Sequence, residues 1–391
     1  MTDKPIVVAF PFIGDELGGS HISAIRLITG LDRRDVDPVA ILHRLDDVLE
    51  KYLAERGIRY VLSPPTPILS PAHRTPQHGP VTTGLHYIAA LPGLVRCLKG
   101  LEADVVHTND GRMHATWALP ARLSGAKLLW HHRGDPTAVG ANMLAPLLAS
   151  QIVTVSHFAR PSRPILPIGG RVNVIYSPFD HPAAIPDREV CRLDLCRELS
   201  LPPDSRFAGY FGGLIERKRP VLFVEAIAAF LDRYPDTPLH GTLFGLPEVN
   251  GPRLDLAVRQ RAQDLGISSH IHVMGFRTPV APAMCAVDAL LVPAINEPFG
   301  RTLIEAMLLG TPVVATDHGG NREAIRDNSN GLLVAAESAE AFVGPLHRLL
   351  SDRCEWRRIS EQARHEALRA YGTEAHIEGV SKLYKKMAGG G

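Results

Sequence analysis

The chain has 391 residues, more than one hydrophobic core usually accommodates, so two domains are expected. Its 42 basic and 41 acidic residues leave a formal charge of +1, which excludes a global field for nucleic acid and makes any basic cluster a local matter. Five cysteines without a C-x-x-C pair speak against a disulfide framework and for free thiols in a reducing compartment.

Lys4-Pro5 leads directly into a strand-like run at 6–10 with nothing resembling a secretory leader, and no apolar stretch is long enough to cross a bilayer; a soluble, cytoplasmic protein is expected. Gly14-Asp15-Glu16-Leu17-Gly18-Gly19-Ser20 follows and opens a helical pattern over 20–30. It is glycine-rich without being G-x-G-x-x-G, so a dinucleotide site is poorly supported. Gly18 and Gly19 could bring backbone close to a ligand, and an ordinary strand-to-helix turn is the plainer alternative.

Strands are predicted at 39–43, 60–62, 105–107, 128–131 and 152–155, with a helix over 85–100. Runs this short and uniformly apolar suit a parallel sheet covered on both faces, and their alternation with helices gives a doubly wound α/β domain. The proline-rich stretch 64–80 reads as an exposed loop. His107 and Asn109 fall at one strand end and His131 and His132 at another, where ligands bind in open α/β sheets.

A charged, proline-rich stretch at 178–203 reads as a linker, dividing the chain into domains at 1–177 and 178–371. A second set of strands is predicted at 208–211, 239–244, 271–274, 289–293, 313–315 and 332–334. Gly212-Gly213-Leu214-Ile215-Glu216-Arg217-Lys218 follows the first of these, and Phe276-Arg277 the third. In the final helix, 374–387, the apolar positions Ile377, Val380, Leu383 and Tyr384 have the spacing to pack back on the first domain, with 372–391 returning there. Two such sheets facing one another would create one deep cleft.

The run Glu297-Pro298-Phe299-Gly300-Arg301-Thr302-Leu303-Ile304-Glu305 places carboxylates on either side of a helix start. A helix N-terminus attracts anions through its unpaired NH groups and dipole. Carboxylates beside such an anion are suited to accept hydrogen bonds from hydroxyls, as a phosphorylated sugar would supply. The plain alternative is a capping box formed by Thr302 and Glu305, with Glu297 solvated in the loop.

Residues 288–316 resemble the donor-binding segment of the large retaining glycosyltransferase family of GT-B fold, the group 1 or family 4 type. E-x7-E, a helix and G-x-P-V-V-A stand in register. Further matches are Gly18-Gly19-Ser20, Asp104-Val105-Val106-His107, Val153-Thr154-Val155-Ser156, 212–218, Gly319-Gly320 and the last helix near Tyr384. The resemblance implies two Rossmann-like domains facing a central cleft, with an acceptor-side N-terminal domain and a nucleotide-sugar-binding C-terminal domain. It implies transfer of a hexose, with retention, from a UDP- or GDP-linked sugar to an acceptor hydroxyl of a glycan, lipid or small molecule.

No cofactor beyond the donor is implied, and no carboxylate cluster has metal-ligand spacing, so transfer is expected without metal. By the same resemblance Glu297 holds the donor sugar's hydroxyls and Glu305 the ribose. Phe299, Gly300, Arg301, Thr302 and Leu303 bring backbone NH groups to phosphate and sugar. Lys218 holds the diphosphate with help from Arg217 or Arg219, or from an arginine elsewhere, because Gly213 stands where the family carries arginine; for Arg217 a solvated basic turn fits equally well. Gly18 and Gly19 contact donor, and Phe276 and Arg277 read the base. Either His131 or His132 hydrogen-bonds a sugar hydroxyl, while His107 and Asn109 contact acceptor or serve structure alone. A nucleotide-sugar epimerase or hydrolase of the same fold, or a non-catalytic nucleotide-sugar binder, are the rivals. Nucleic acid is not an expected partner. Arg160, Arg163 and Arg171 could touch an anionic membrane surface peripherally, with a solvated loop the plainer reading.

Overall fold

The computed structural model describes residues 4–14, 19–45, 47–69, 80–248 and 251–389. The chain divides into two compact units, one formed by 1–179 together with 371–391, the other by 180–370.

The first unit holds a seven-stranded sheet: β1 Ile6–Phe12, β2 Val36–Leu42, β3 Tyr60–Leu62, β4 Val105–Thr108, β5 Lys127–His132, β6 Gln151–Thr154 and β7 Val172–Val174. Its order is β3-β2-β1-β4-β5-β6-β7, and neighbouring strands pair in parallel. Side chains alternate across a strand, and both faces of β1 are apolar. Val8, Phe10 and Phe12 pack with Leu27 and Ile28 of the helix Gly19–Gly30, whereas Ala9 joins Met113 and Trp117 of the helix Gly111–Ser124 on the other side. Each large side chain buried this way contributes about 1.5–3 kcal/mol. The last helix, Thr373–Gly389, joins the first of these clusters through Val380, Leu383, Tyr384 and Met387.

The second unit holds β8 Arg206–Phe211, β9 Leu239–Phe244, β10 Ile271–Gly275, β11 Ala289–Val292, β12 Val313–Thr316 and β13 Leu332–Val334. These run in the order β10-β9-β8-β11-β12-β13, again parallel. Phe223, Ile227 and Phe230 of the helix Pro220–Arg233 bury one face with Tyr210 and Leu243. In each sheet the order reverses beside the first strand, between β1 and β4 and between β8 and β11, and at such switch points ligands enter doubly wound sheets.

Several expectations are corrected. The stretch read as a linker contains the helix Arg188–Leu199, capped where the Asp187 carboxylate accepts from the Val190 NH at 2.9 Å. Its largely polar composition hid it. β2 starts three residues before the predicted run, at Val36, and carries Pro38. β3 pairs only with residues Ala40 to Leu42, so Pro38's missing NH deprives no strand on that side. β7 was not predicted, since its Val-Asn-Val run is short and only half-buried at the sheet edge. The helix predicted from 85 begins at Pro80, and 70–79 of the predicted proline-rich loop lie outside the described residues.

Candidate donor site and a cavity in the first unit

In the second unit the loops after β8 and β11 leave the sheet side by side at its switch point. Lys218 and Arg217 stand in the first loop and Glu297 in the second. Glu297 is only 8% exposed; its carboxylate accepts a hydrogen bond from the Arg217 guanidinium and lies 3.7 Å from Lys218 Nζ. Burial works to raise the Glu297 carboxyl, but Lys218, Arg217 and the Gly300 NH outweigh it and hold the group below the usual carboxylate range. Glu297 is therefore not a solvated loop residue, and Arg217, though its side chain is 40% exposed, is tied to Glu297.

Backbone geometry holds this trio. The Ile295 NH donates to the Arg217 carbonyl at 2.9 Å, tying the two loops together, and the Gly320 NH donates to the Glu297 carbonyl at 2.8 Å. Asn296 sits at φ +52°, with its NH donating to His318 Nδ1 at 3.1 Å. Gly212 has φ +138°, and a Cβ there would lie 2.8 Å from Lys218 Nζ. Gly245, at φ +155°, lets the next loop reach the Gly212 carbonyl, where a Cβ would stand 1.9 Å away. Tyr210 donates its OH to the Gly213 carbonyl at 2.9 Å.

The helix after Glu297 is Arg301–Leu308, preceded by Gly300 at φ +71° in the cap position, so Thr302 lies inside the first turn and does not cap it. The capping-box alternative is thereby removed. Glu305 lies 3.4 Å from Arg301 on the same helix, Phe299 and Leu303 are buried, and Thr302 lines a small crevice with Lys218, Glu297 and Gly300. The helix closes at Gly310, φ +73°, where the Thr311 NH reaches back to the Ala306 carbonyl at 2.9 Å.

Other predicted residues are placed differently. Arg219 turns away from Lys218 to the Ala336 carbonyl and Glu337, so it does not join the cationic pair facing Glu297. Arg277 pairs with Glu198 and lies 5.2 Å over the Phe244 ring, while Phe276 is 72% exposed. Gly19 is the exposed first residue of its helix, and Gly18 lies outside the described residues.

The histidines of the first unit separate into two groups. His107 is fully buried, with Nδ1 on the Tyr384 hydroxyl and Nε2 at 3.1 Å from His131 Nδ1; Arg133 also donates to that His131 nitrogen, at 3.3 Å. Since the guanidinium can only donate, His131 Nδ1 accepts, and the chain runs Tyr384 to His107 to His131. Burial pushes both imidazoles well below their ordinary value, and Arg133 adds to the effect. His107 and His131 thus belong to a structural network. His132 and Asn109 instead line a cavity of about 760 Å³ outside the carboxyl ends of β4 and β5, with His132 Nε2 at 2.9 Å from the Asp135 carbonyl.

Asn321, His318, Asn296 and Tyr210 escaped sequence reasoning. Asn321 is fully buried with its amide NH₂ on Thr316, and the one sequence signal near it was Gly319-Gly320. Among the described residues no group of three or more His, Cys, Asp or Glu is arranged to hold a metal ion, and no helix is long and apolar enough to cross a membrane. Arg171 binds the carbonyls of Pro146, Ala149 and Pro167, leaving Arg160 and Arg163 as the exposed members of that basic group.

The family model described as glycosyl transferases group 1 matches residues 194–366. The D-inositol 3-phosphate glycosyltransferase of Corynebacterium urealyticum is 31% identical over 219 residues, 56% of this chain and 51% of that protein. The lipopolysaccharide core biosynthesis glycosyltransferase LpsE of Rhizobium meliloti is 29% identical over 186 residues, 48% of this chain and 52% of that one. The chain thus spans about half the length of the curated relatives it matches. Among solved structures, Anabaena HepE in complex with UDP and glucose superposes with TM-score 0.76 at 20% identity, covering 96% of this chain and 98% of that one. A glycosyltransferase of Rickettsia africae gives TM-score 0.79 at 17% identity, covering 99% and 100%. Residues 194–366 thus match the model of the group 1 glycosyl transferases, and the chain's two Rossmann-like units have the GT-B fold.

Proposed function

We propose that the protein is a glycosyltransferase that moves a hexose from a nucleoside-diphosphate sugar, UDP- or GDP-linked, to an acceptor hydroxyl, with retention at the sugar carbon and without metal. The observation that carries this reading is Glu297 held by both Lys218 and Arg217 at the switch point of the second sheet, ahead of a helix N-terminus. One buried carboxylate facing two cations is a place where a diphosphate can exchange in. The phosphates take Lys218 and Arg217, and the Glu297 carboxylate turns to the sugar hydroxyls.

In the transfer, the bond from the sugar carbon to the diphosphate oxygen breaks while the acceptor oxygen bonds to that carbon on the same face. The acceptor proton passes to the departing diphosphate. Lys218 and Arg217 stabilise the charge that builds there, the kind of preorganised electrostatics that often supplies the largest catalytic contribution. Glu305 holds the ribose, and the backbone at Phe276 and Arg277 reads the base. UDP-glucose is the first donor to test, since a solved neighbour holds UDP and glucose.

The test is turnover. Purified protein is given UDP- and GDP-sugars with a panel of hydroxyl acceptors, and Glu297→Ala is compared with the unaltered chain; equal transfer by both would refute the assignment.

A second reading, a nucleotide-sugar binder without transferase activity, is favoured by Gly213. A Cβ there would meet nothing nearer than 3.7 Å, so space does not demand glycine where an arginine would grip phosphate. Donor binding with no transfer to any acceptor would support this alternative.

A further inference from the structure

The cavity of the first unit is lined by both polar and apolar side chains. Its polar lining includes Asn109, Asp110, His132 and Arg133, and its apolar lining includes Ala115, Trp130, Ala141 and Leu144. Trp130 is 2% exposed, and its Nε1–H finds no hydrogen-bond partner among the described residues, a buried donor that costs free energy until an acceptor arrives. The ring is fixed by His114, stacked at 4.1 Å, and by the close approach of Gly140.

The apolar lining continues out of the cavity. Val139, a lining residue, is 71% exposed, and Met143 and Leu147 follow at four-residue spacing on the same helical face, 48% and 55% exposed. Alongside, the Ile165 NH donates to the Asn142 carbonyl at 2.9 Å, and the Arg163 NH to Asn142 Oδ1 at 2.6 Å. This holds the exposed Ile165 and Leu166 beside the same stripe.

Building on the transferase reading above, we infer that the acceptor is an amphiphile. Its hydroxyl-bearing polar head lies at Asn109, His132 and Arg133 and offers an oxygen to Trp130 Nε1–H. Its alkyl portion runs along Ala141 and Leu144 and leaves past Val139 and Met143. A small sugar alone would leave the apolar wall wet, and a purely apolar ligand would strand the polar groups.

The experiment uses the full chain with octyl β-D-glucoside, kept below its micelle concentration, against methyl β-D-glucoside, read by thermal shift and tryptophan fluorescence. The expected result is tighter binding of the octyl compound by tenfold or more. Val139→Ser with Met143→Ser, both at exposed positions, should weaken that binding at least threefold. Trp130→Phe should remove the fluorescence response, with Trp117 and Trp356 unchanged. Equal binding of the two glucosides, or octyl binding indifferent to both sets of variants, would overturn the inference. UDP binding is measured on the same preparation. Retained UDP binding with failed octyl binding rejects the amphiphile alone, whereas lost UDP binding rejects the donor reading.

Discussion

Lys218 Nζ and the Glu297 carboxylate stand 3.7 Å apart on two loops separated by almost eighty residues, and they meet where the order of the second sheet reverses. Arg217 pairs with the same carboxylate, so one acid holds both cations together. Under the proposed function, an arriving diphosphate would find its charge partners in position and would have only to displace one carboxylate.

Glu297→Ala should lower transfer by roughly ten- to a hundredfold, because a charged hydrogen bond to a sugar hydroxyl contributes about 1.5–3 kcal/mol. UDP alone should bind as well or better, since the two cations lose their internal competitor. Steady-state kinetics with parallel UDP calorimetry measures both effects; weakened UDP binding would contradict the exchange of partners.

Gly213→Arg is expected to fold normally, since the position has room for a side chain, and to tighten UDP binding by about tenfold through one added charge-assisted contact. Unchanged affinity would mean that the side chain does not reach the phosphates.

Gly212→Ala and Gly245→Ala separate the site from its scaffold. At Gly212 the new Cβ meets the flexible end of Lys218, so donor affinity should fall, and the φ of +138° adds about 1–3 kcal/mol of backbone strain. At Gly245 the same strain is joined by a clash with the fixed Gly212 carbonyl 1.9 Å away, so the melting temperature should fall further than for Gly212→Ala. Thermal melts with UDP titration distinguish the two.

Acid should weaken the first unit. Burial, with Arg44 as a lesser cause, lowers His43 to about 4, and burial likewise pushes His107, His114 and His131 well down. The unfolded imidazoles take up protons near 6.5 while the folded ones resist. Stability is therefore complete above about pH 6.5 and is lost as pH falls from there toward the depressed values, at up to about 1.4 kcal/mol per pH unit for each group. Urea midpoints from pH 8 to pH 5 should show this slope. His43→Gln, which keeps an acceptor for the Trp117 Nε1–H, should flatten part of it.

Tyr384→Phe removes the hydroxyl on His107 Nδ1 and leaves that buried acceptor unpaired, so the chain should lose about 1–3 kcal/mol. Donor binding in the second unit should be unchanged. A neutral denaturation midpoint would show that the His107 pairing contributes nothing.

The amino-acid sequence by itself determined the two doubly wound sheets, because buried parallel strands must be short uniform apolar runs, as in 239–244 and 313–315. It also determined the loop carrying Glu297 and the stop at Gly310, since a helix start and a left-handed cap are local matters that a few residues specify. Where a pattern was short and mixed, as in Val172–Val174, or polar, as in Arg188–Leu199, the local signal failed. Only the tertiary structure decided that Lys218 and Arg217 turn to Glu297 while Arg219 does not. It also decided that His107 and His131 face inward to Tyr384 while neighbouring His132 lines a cavity. Successive residues on a strand point to opposite faces, so adjacent histidines carry the same local signal, and what each face meets is set by elements distant in the chain.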